Sequence, residues 1–205
     1  MIRSENNSTA KIAIFASGKG SNAQKIIDYF STSADKSLAE ISLIVSNKAD
    51  AGVVDIAKKE KIPFIIIDKE KFFRGNAYVD ELKAGKIDWI ILAGFLWKIP
   101  KALIHAYPDR IVNIHPALLP KYGGKGMYGH HVHEAVIGAK ERESGITIHF
   151  VDEIYDHGKV IFQEKCSISE MDTPDSLAKK ISVMEHANYP RIIAELVGIK
   201  NIVKR

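Results

Sequence analysis

The chain has 205 residues, 46% hydrophobic and 26% charged, a composition ordinary for a soluble globular protein of one sizeable domain. Its net charge of +4 comes from scattered Lys and Arg rather than the focused basic stripe of a nucleic-acid binder, and no apolar run approaches the ~20 residues that span a bilayer. A lone cysteine, Cys166, excludes an internal disulfide and suits a reducing, cytoplasmic setting.

The opening MIRSENNSTA has no apolar stretch of the kind a signal peptide carries, so about residues 1–10 read as a flexible lead-in. Four short runs rich in Ile and Val follow: KIAIFAS (11–17), AEISLIVSN (39–47), PFIIID (63–68) and DWIILAG (88–94). Apolar on both faces, they suit strands of a parallel sheet covered on each side. Ala23, Ile26, Ile27 and Phe30 recur at helical spacing after the first run, and weaker helical patterns fill 50–60 and 76–85. Strand–helix alternation of this kind predicts right-handed βαβ units in an open, mostly parallel, Rossmann-like α/β sheet with helices on both faces.

The second half changes character. RIVNIH (110–115) leads into a glycine-rich segment and then a helix whose inward positions are Val132, Ala135, Val136 and Ala139. SGITIHFV (144–151) and KVIFQEKCSI (159–168) read as a hairpin across the turn containing Asp156-His157-Gly158. Thr173 is a candidate N-cap with Pro174 at the first helical position, and Tyr189-Pro190 is expected to interrupt and kink the last helix. Without a repeat or a low-complexity linker, residues 1–205 read as one domain.

Three places carry chemistry. Ser17-Gly18-Lys19-Gly20-Ser21-Asn22 lies where the first strand turns into a helix, and backbone N–H groups there can hold a phosphate. Gly18-x-Gly20-x-x-Ala23 also fits a permissive dinucleotide fingerprint, but the second strand ends Val45-Ser46-Asn47-Lys48 without the acid that would hold a ribose. A phosphate monoester suits the turn better than a dinucleotide. Asn113 and His115, two apart on a strand, share one face, where an amide can donate to an oxyanion and an imidazole can move a proton. The third is His130, His131 and His133, which start a helix and point in different directions; no shared metal face is expected.

Taken together, SGKGSN (17–22), VSNKADA (45–51), LAGFLWKIP (92–100), IVNIHPALLPKY (111–122), HFVDEIYDHGKVI (149–161) and MEHANYP (184–190) resemble the phosphoribosylglycinamide formyltransferases, folate-dependent enzymes of purine synthesis. The likeness runs from about Lys11 to Leu196. It implies the formyltransferase fold and a formyl transfer from 10-formyltetrahydrofolate to the amine of 5′-phosphoribosylglycinamide, with no metal. It also implies small-molecule substrates, neither nucleic acid nor membrane as partner, and a monomer or homodimer. Related formyl-folate enzymes with other acceptors carry an additional domain, for which 205 residues are expected to leave no room.

By the same resemblance, Gly20, Ser21 and Asn22 cradle the ribose phosphate, and Glu185 lies near the glycinamide. Leu96, Trp97, Lys98 and Ile99 line the folate pocket together with Asp152, Glu153, Ile154 and Tyr155. Asn113, His115 and Asp156 form the catalytic trio, in which Asp156 holds and charges the imidazole and so raises the pKa of His115. The chain departs from the family at Trp97, where arginine is common, at Arg74, one place early, at His157 in place of a glycine, and in a glycine-rich insertion after Lys121.

Overall fold

The computed structural model describes residues 9–203. Seven strands form one sheet: β1 (Ala10–Phe15), β2 (Ala39–Ser46), β3 (Phe64–Ile66), β4 (Trp89–Leu92), β5 (Ile111–His115), β6 (Glu143–Phe150) and β7 (Val160–Ser167). Their spatial order is β3-β2-β1-β4-β5-β6-β7. The first five are mutually parallel, and β6 and β7 are added as an antiparallel hairpin. The lead-in expected over 1–10 falls outside the described residues except at its end, where Ala10 is already buried and paired with Ala39.

Alternation along β1 shows why both faces must be covered. Ile12 and Ile14 enter one apolar cluster, while Ala13 and Phe15 enter the other. On the first face lie α1 (Ser21–Thr32), α2 (Gly52–Glu60), α6 (His130–Gly138) and α7 (Pro174–Val203). On the second lie α3 (Lys69–Phe73), α4 (Ala77–Ala84) and α5 (Lys101–Ala106). Helix α1 buries the expected quartet, Ala23, Ile26, Ile27 and Phe30. Each of its three large side chains contributes about 1.5–3 kcal/mol by leaving water.

Three details correct the sequence reading. The fourth inward position of α6 belongs to His133, because the helix ends at Gly138 and leaves Ala139 exposed. Helix α7 passes through Pro190 without interruption. Pro190 removes one backbone donor, but the neighbouring Tyr189 is fully buried and donates its hydroxyl to the carbonyls of Leu92 and Val112, pinning that turn to β4 and β5. At its start α7 is capped reciprocally: Thr173 Oγ1 accepts from the Ser176 N–H, and Ser176 Oγ from the Thr173 N–H. Helices α3 and α5 have no counterpart in the sequence reading, being only 5 and 6 residues long and too short to show a period.

The chain runs outward from β1 to β2 and β3 on one side, then crosses to β4 and β5 on the other. That reversal opens a crevice at the carboxyl ends of β1 and β4, where an α/β sheet offers its ligand site.

Candidate active site

Gly20 is the N-cap of α1 and takes a left-handed backbone, φ 80°. A Cβ there would lie 2.8 Å from Ile56 Cδ1 and 3.0 Å from Val53 Cα, so the glycine is dictated by the backbone and by packing on α2. A Cβ on Gly18 would meet nothing within 4 Å. The structure divides the two glycines, with Gly20 needed by the fold and Gly18 facing open space. The first turn of α1 has no acidic side chain of its own, which leaves its N-terminal N–H groups suited to an anion. Buried Ser17 ties this turn to the segment after β4, its N–H donating to the Gly94 carbonyl and its Oγ accepting from the Leu96 N–H.

Asn22 Nδ2 donates to Glu185 Oε2 at 2.8 Å, joining the expected cradle to α7. Burial pushes the Glu185 carboxyl above its ordinary range, with the Asn22 bond opposing. Asn22 Oδ1 is buried without a hydrogen-bond partner, an acceptor left for a ligand donor.

The antiparallel register of β5 and β6 sets Asn113 opposite His149, and His115 opposite Thr147. Asn113 Nδ2 lies 3.1 Å from His149 Nε2. The other ring nitrogen of His149, Nδ1, faces the Phe150 carbonyl at 2.9 Å and must carry the proton. Nε2 is therefore the acceptor for one Asn113 N–H, and the second N–H of that amide is left for another oxygen. His115 Nε2 donates to the Tyr122 carbonyl at 2.7 Å, which places the lone pair of the neutral ring on Nδ1. That nitrogen lies 3.6 Å from Asp156 Oδ2, and His149 Nε2 lies 3.7 Å from Asp156 Oδ1. One carboxylate thus stands between two buried imidazoles.

Asp156 is itself fixed by the glycine-rich segment. The Gly124 N–H donates to its Oδ2 at 2.8 Å, and a Cβ on Gly123 would lie 3.2 Å from its Cβ. Gly158 closes the turn so tightly that a Cβ would fall 1.8 Å from the Phe150 carbonyl oxygen. Spacing alone made Asp156 a turn residue; it is that and a neighbour of His115 as well.

The expected rise in the His115 pKa is overturned. Burial lowers it below the ordinary imidazole value and outweighs Asp156 and the Tyr122 carbonyl, which raise it; His149 lowers it further. His149 is lowered too, by burial first, against the Phe150 carbonyl and Asp156. Both rings are only 2–3% exposed, and desolvation of the charged form wins.

Beside this cluster a cavity of about 70 Å³ is walled by Phe95, Trp97, Lys98 and Ile99 on one side and by Asp152, Ile154, Tyr155 and Asp156 on the other, with Asn113 and His149 at its inner end. Two residues expected here are elsewhere. Leu96 contributes its backbone to Ser17 and leaves its side chain 43% exposed. Glu153 turns out to ion pairs with Lys101 and with His105, the latter at 3.0 Å. Of the three clustered histidines, His130 and His131 are exposed beside Glu134, and only His133 is buried; among the described residues no three His, Cys, Asp or Glu are placed to hold a metal ion. His149 was missed by the sequence reading. Its signal was present: Thr147 and His149 are two apart on one strand, the same pattern that marked Asn113 and His115.

Known proteins resemble this chain over most of its length. A family profile described as formyl transferase matches residues 10–193. A chloroplastic phosphoribosylglycinamide formyltransferase of Arabidopsis thaliana is 40% identical over 191 residues, covering 91% of this chain and 65% of the plant protein. This chain thus spans a little under two thirds of that relative's length. A phosphoribosylglycinamide formyltransferase of Bacillus subtilis is 33% identical over 195 residues, 93% of this chain and 96% of the relative. A crystal structure of phosphoribosylglycinamide formyltransferase from Bacillus halodurans superposes with a TM-score of 0.82 at 39% identity, covering 91% of this chain and 95% of that one. With a matching profile over most of its length and relatives of this identity, the chain belongs to the formyl transferase family.

Proposed function

We propose that the protein transfers a formyl group from 10-formyltetrahydrofolate to the amine of 5′-phosphoribosylglycinamide. The observation that carries this reading is that Asn113 from β5 and Asp156 from the turn before β7 line one cavity with aromatic walls, and that His115, at the end of the same strand as Asn113, stands 3.6 Å from Asp156. The family membership and the names of its relatives supply the substrates; the geometry supplies roles.

In the reaction the acceptor amine attacks the formyl carbon, negative charge collects on the formyl oxygen, and the N10–C bond then breaks. The amine loses one proton and N10 gains one. Asn113 has a free amide N–H beside the cavity to meet the developing oxyanion. Asp156, held by the Gly124 N–H, provides the negative charge that favours protonation of His115 at Nδ1 as the amine becomes cationic. Nε2 of His115 is occupied by the Tyr122 carbonyl, so Nδ1, on the Asp156 side, is where the ring takes up a proton. No covalent adduct with the protein is required; positioning and electrostatics carry the step.

The ribotide phosphate would lie on Gly20, Ser21 and Asn22, with Glu185 close to the glycinamide. The formyl-bearing part of the folate would enter between Trp97, Lys98, Ile99 and Asp152, Ile154, Tyr155. At about 70 Å³ this cavity is below the ~300–1,000 Å³ of ordinary ligand pockets, so it would take only the formyl-bearing end of the donor. Incubation with both substrates, read by the mass of the formylated ribotide, tests the reading. Product requires both substrates; its absence with folded protein overturns the proposal.

A further inference from the structure

A second cavity, sharing no lining residue with the one beside Asn113, lies where β6 runs past the end of β5. His115, the last residue of β5, pairs with Thr147, whereas β6 begins earlier, at Glu143. Beside that overhang the chain from Leu118 to Tyr122 folds over instead of extending the sheet. Its near end is pinned to the hairpin: the Leu119 N–H donates to Thr147 Oγ1, and Gln163 Nε2 donates to the Leu119 carbonyl. Its far end is pinned to the segment after α6, where Lys121 Nζ and the Tyr122 hydroxyl both donate to Glu141 Oε1. Held at both ends, the segment bridges a space of about 260 Å³ rather than collapsing into it.

The walls of this space specify a chemistry. Leu118, Leu119, Pro120 and Val136 give it an apolar lining. Ser144 lines it as well; this residue is 2% exposed, and its Oγ has no hydrogen-bond partner. Buried hydroxyls are ordinarily paired, and this one can both donate and accept. At the rim the charges cancel in pairs, Lys121 with Glu141 at 3.0 Å and Lys165 with Glu143 at 2.8 Å. Among the lining residues no charge is left to hold an ion, and a charged ligand entering an apolar space would lose its water without compensation. The volume falls just short of the ~300–1,000 Å³ that takes drug-sized molecules, so the occupant is smaller than those.

We propose that this cavity is a binding site for a small uncharged molecule that joins one hydrogen-bonding group, met by Ser144, to an apolar body. The site is independent of the substrates proposed above. It touches the catalytic cluster only through Tyr122, which belongs both to its wall and to the bond that fixes His115 Nε2.

Benzyl alcohol is the probe, with benzoate and benzylammonium as charged counterparts of similar shape. Titrated into the full chain, benzyl alcohol should shift the backbone amide NMR signals of Lys121, Tyr122, Ser144 and Gly145 to saturation. The two ions should bind there at least about tenfold more weakly. Ser144→Ala removes a hydroxyl that has no partner, so the fold and basal formyl transfer should be unchanged. That variant should bind benzyl alcohol about two- to tenfold more weakly, the range expected for one neutral hydrogen bond. No saturable shift at these amides would overturn the site, as would shifts confined to Trp97 and Tyr155 around the other cavity. Equal binding of the charged probes, or an unaltered affinity in Ser144→Ala, would overturn the chemistry assigned to it. None of these readings needs turnover, so failure of the proposed reaction would leave the site standing.

Discussion

The turn after β1 and the junction of β5 with β6 stand at the same edge of the sheet, yet they are built on opposite principles. The turn is made by backbone: a left-handed Gly20 seated on Val53 and Ile56, and N–H groups of a helix whose own first turn carries no acidic side chain. The junction is made by side chains: two imidazoles, an amide and a carboxylate removed from water and tied to carbonyls of Tyr122 and Phe150. The first region suits a fixed charge such as a phosphate, which needs donors that do not change. The second suits a charge that appears and disappears, which needs groups able to gain a proton or meet an oxyanion. The comparison teaches that binding and chemistry can be separated by substitution.

The sharpest separation should come from Asn113→Ala. It deletes the N–H left for the oxyanion and also strips His149 Nε2 of its donor. Loss of one oxyanion donor typically reduces turnover by ~10²–10³. Stability should fall by only ~1–3 kcal/mol, because a single buried acceptor is left unpaired. Ribotide affinity should hold. Near-native turnover in a folded Asn113→Ala protein would sink the role assigned to this amide and erase the distinction between the two regions.

The converse pair lies in the turn. Gly20→Val places branched carbon against Val53 and Ile56 at a left-handed φ, and should cost ~1–3 kcal/mol in a denaturant titration while weakening the ribotide more than the folate. Gly18→Ala meets open space and should change stability by no more than about 0.5 kcal/mol. A ligand phosphate close to the Gly18 backbone would still feel the new methyl. If Gly18→Ala destabilised the protein as much as Gly20→Val, the division of labour between these glycines would be wrong.

These same regions differ in how much of them could be read from sequence. The turn is local: strand, glycines and helix start are adjacent, so Gly20, Ser21 and Asn22 announce their place together. All seven strands were legible as strands, and runs such as WIIL and IVNIH carry their burial in composition; the expected cover on both faces fails at β3, which lies at the sheet edge and leaves Phe64 and Ile66 exposed. The junction is non-local. Asp156 reaches His115 from 41 residues away, across a hairpin whose register no single segment contains, and His149 joins them only through the pairing of β5 with β6. Direction of titration was misread because an opposite charge was visible in the motif and burial was not. Pro190 was misread because its local effect was known while the Tyr189 hydroxyl bonds to β4 and β5 were out of sight.

The smallest effect at neutral pH, and the finest test of the junction, is Asp156→Asn. His115 has a folded pKa below its unfolded value of ~6.5, so as pH falls through ~6.5 the unfolded chain takes a proton that the native ring still refuses. Stability from this residue is therefore complete above ~6.5, declines as acid is added, and stops declining once pH has passed the folded pKa. The buried His149 adds a loss of the same sign. Asp156 opposes burial at both rings, so replacing its charge by an amide should lower both folded pKa values further and extend the acid-sensitive window downward. Near neutrality both rings are already uncharged, and the native state should scarcely notice. Ring titration by NMR reads the shift directly, and urea midpoints at about pH 7.5 and 5.5 read its consequence. Turnover should drop as well, since the imidazolium loses the carboxylate that favours it. A His115 titration unmoved by Asp156→Asn would mean that the 3.6 Å contact carries no electrostatic weight and that Asp156 serves only to anchor the Gly124 N–H.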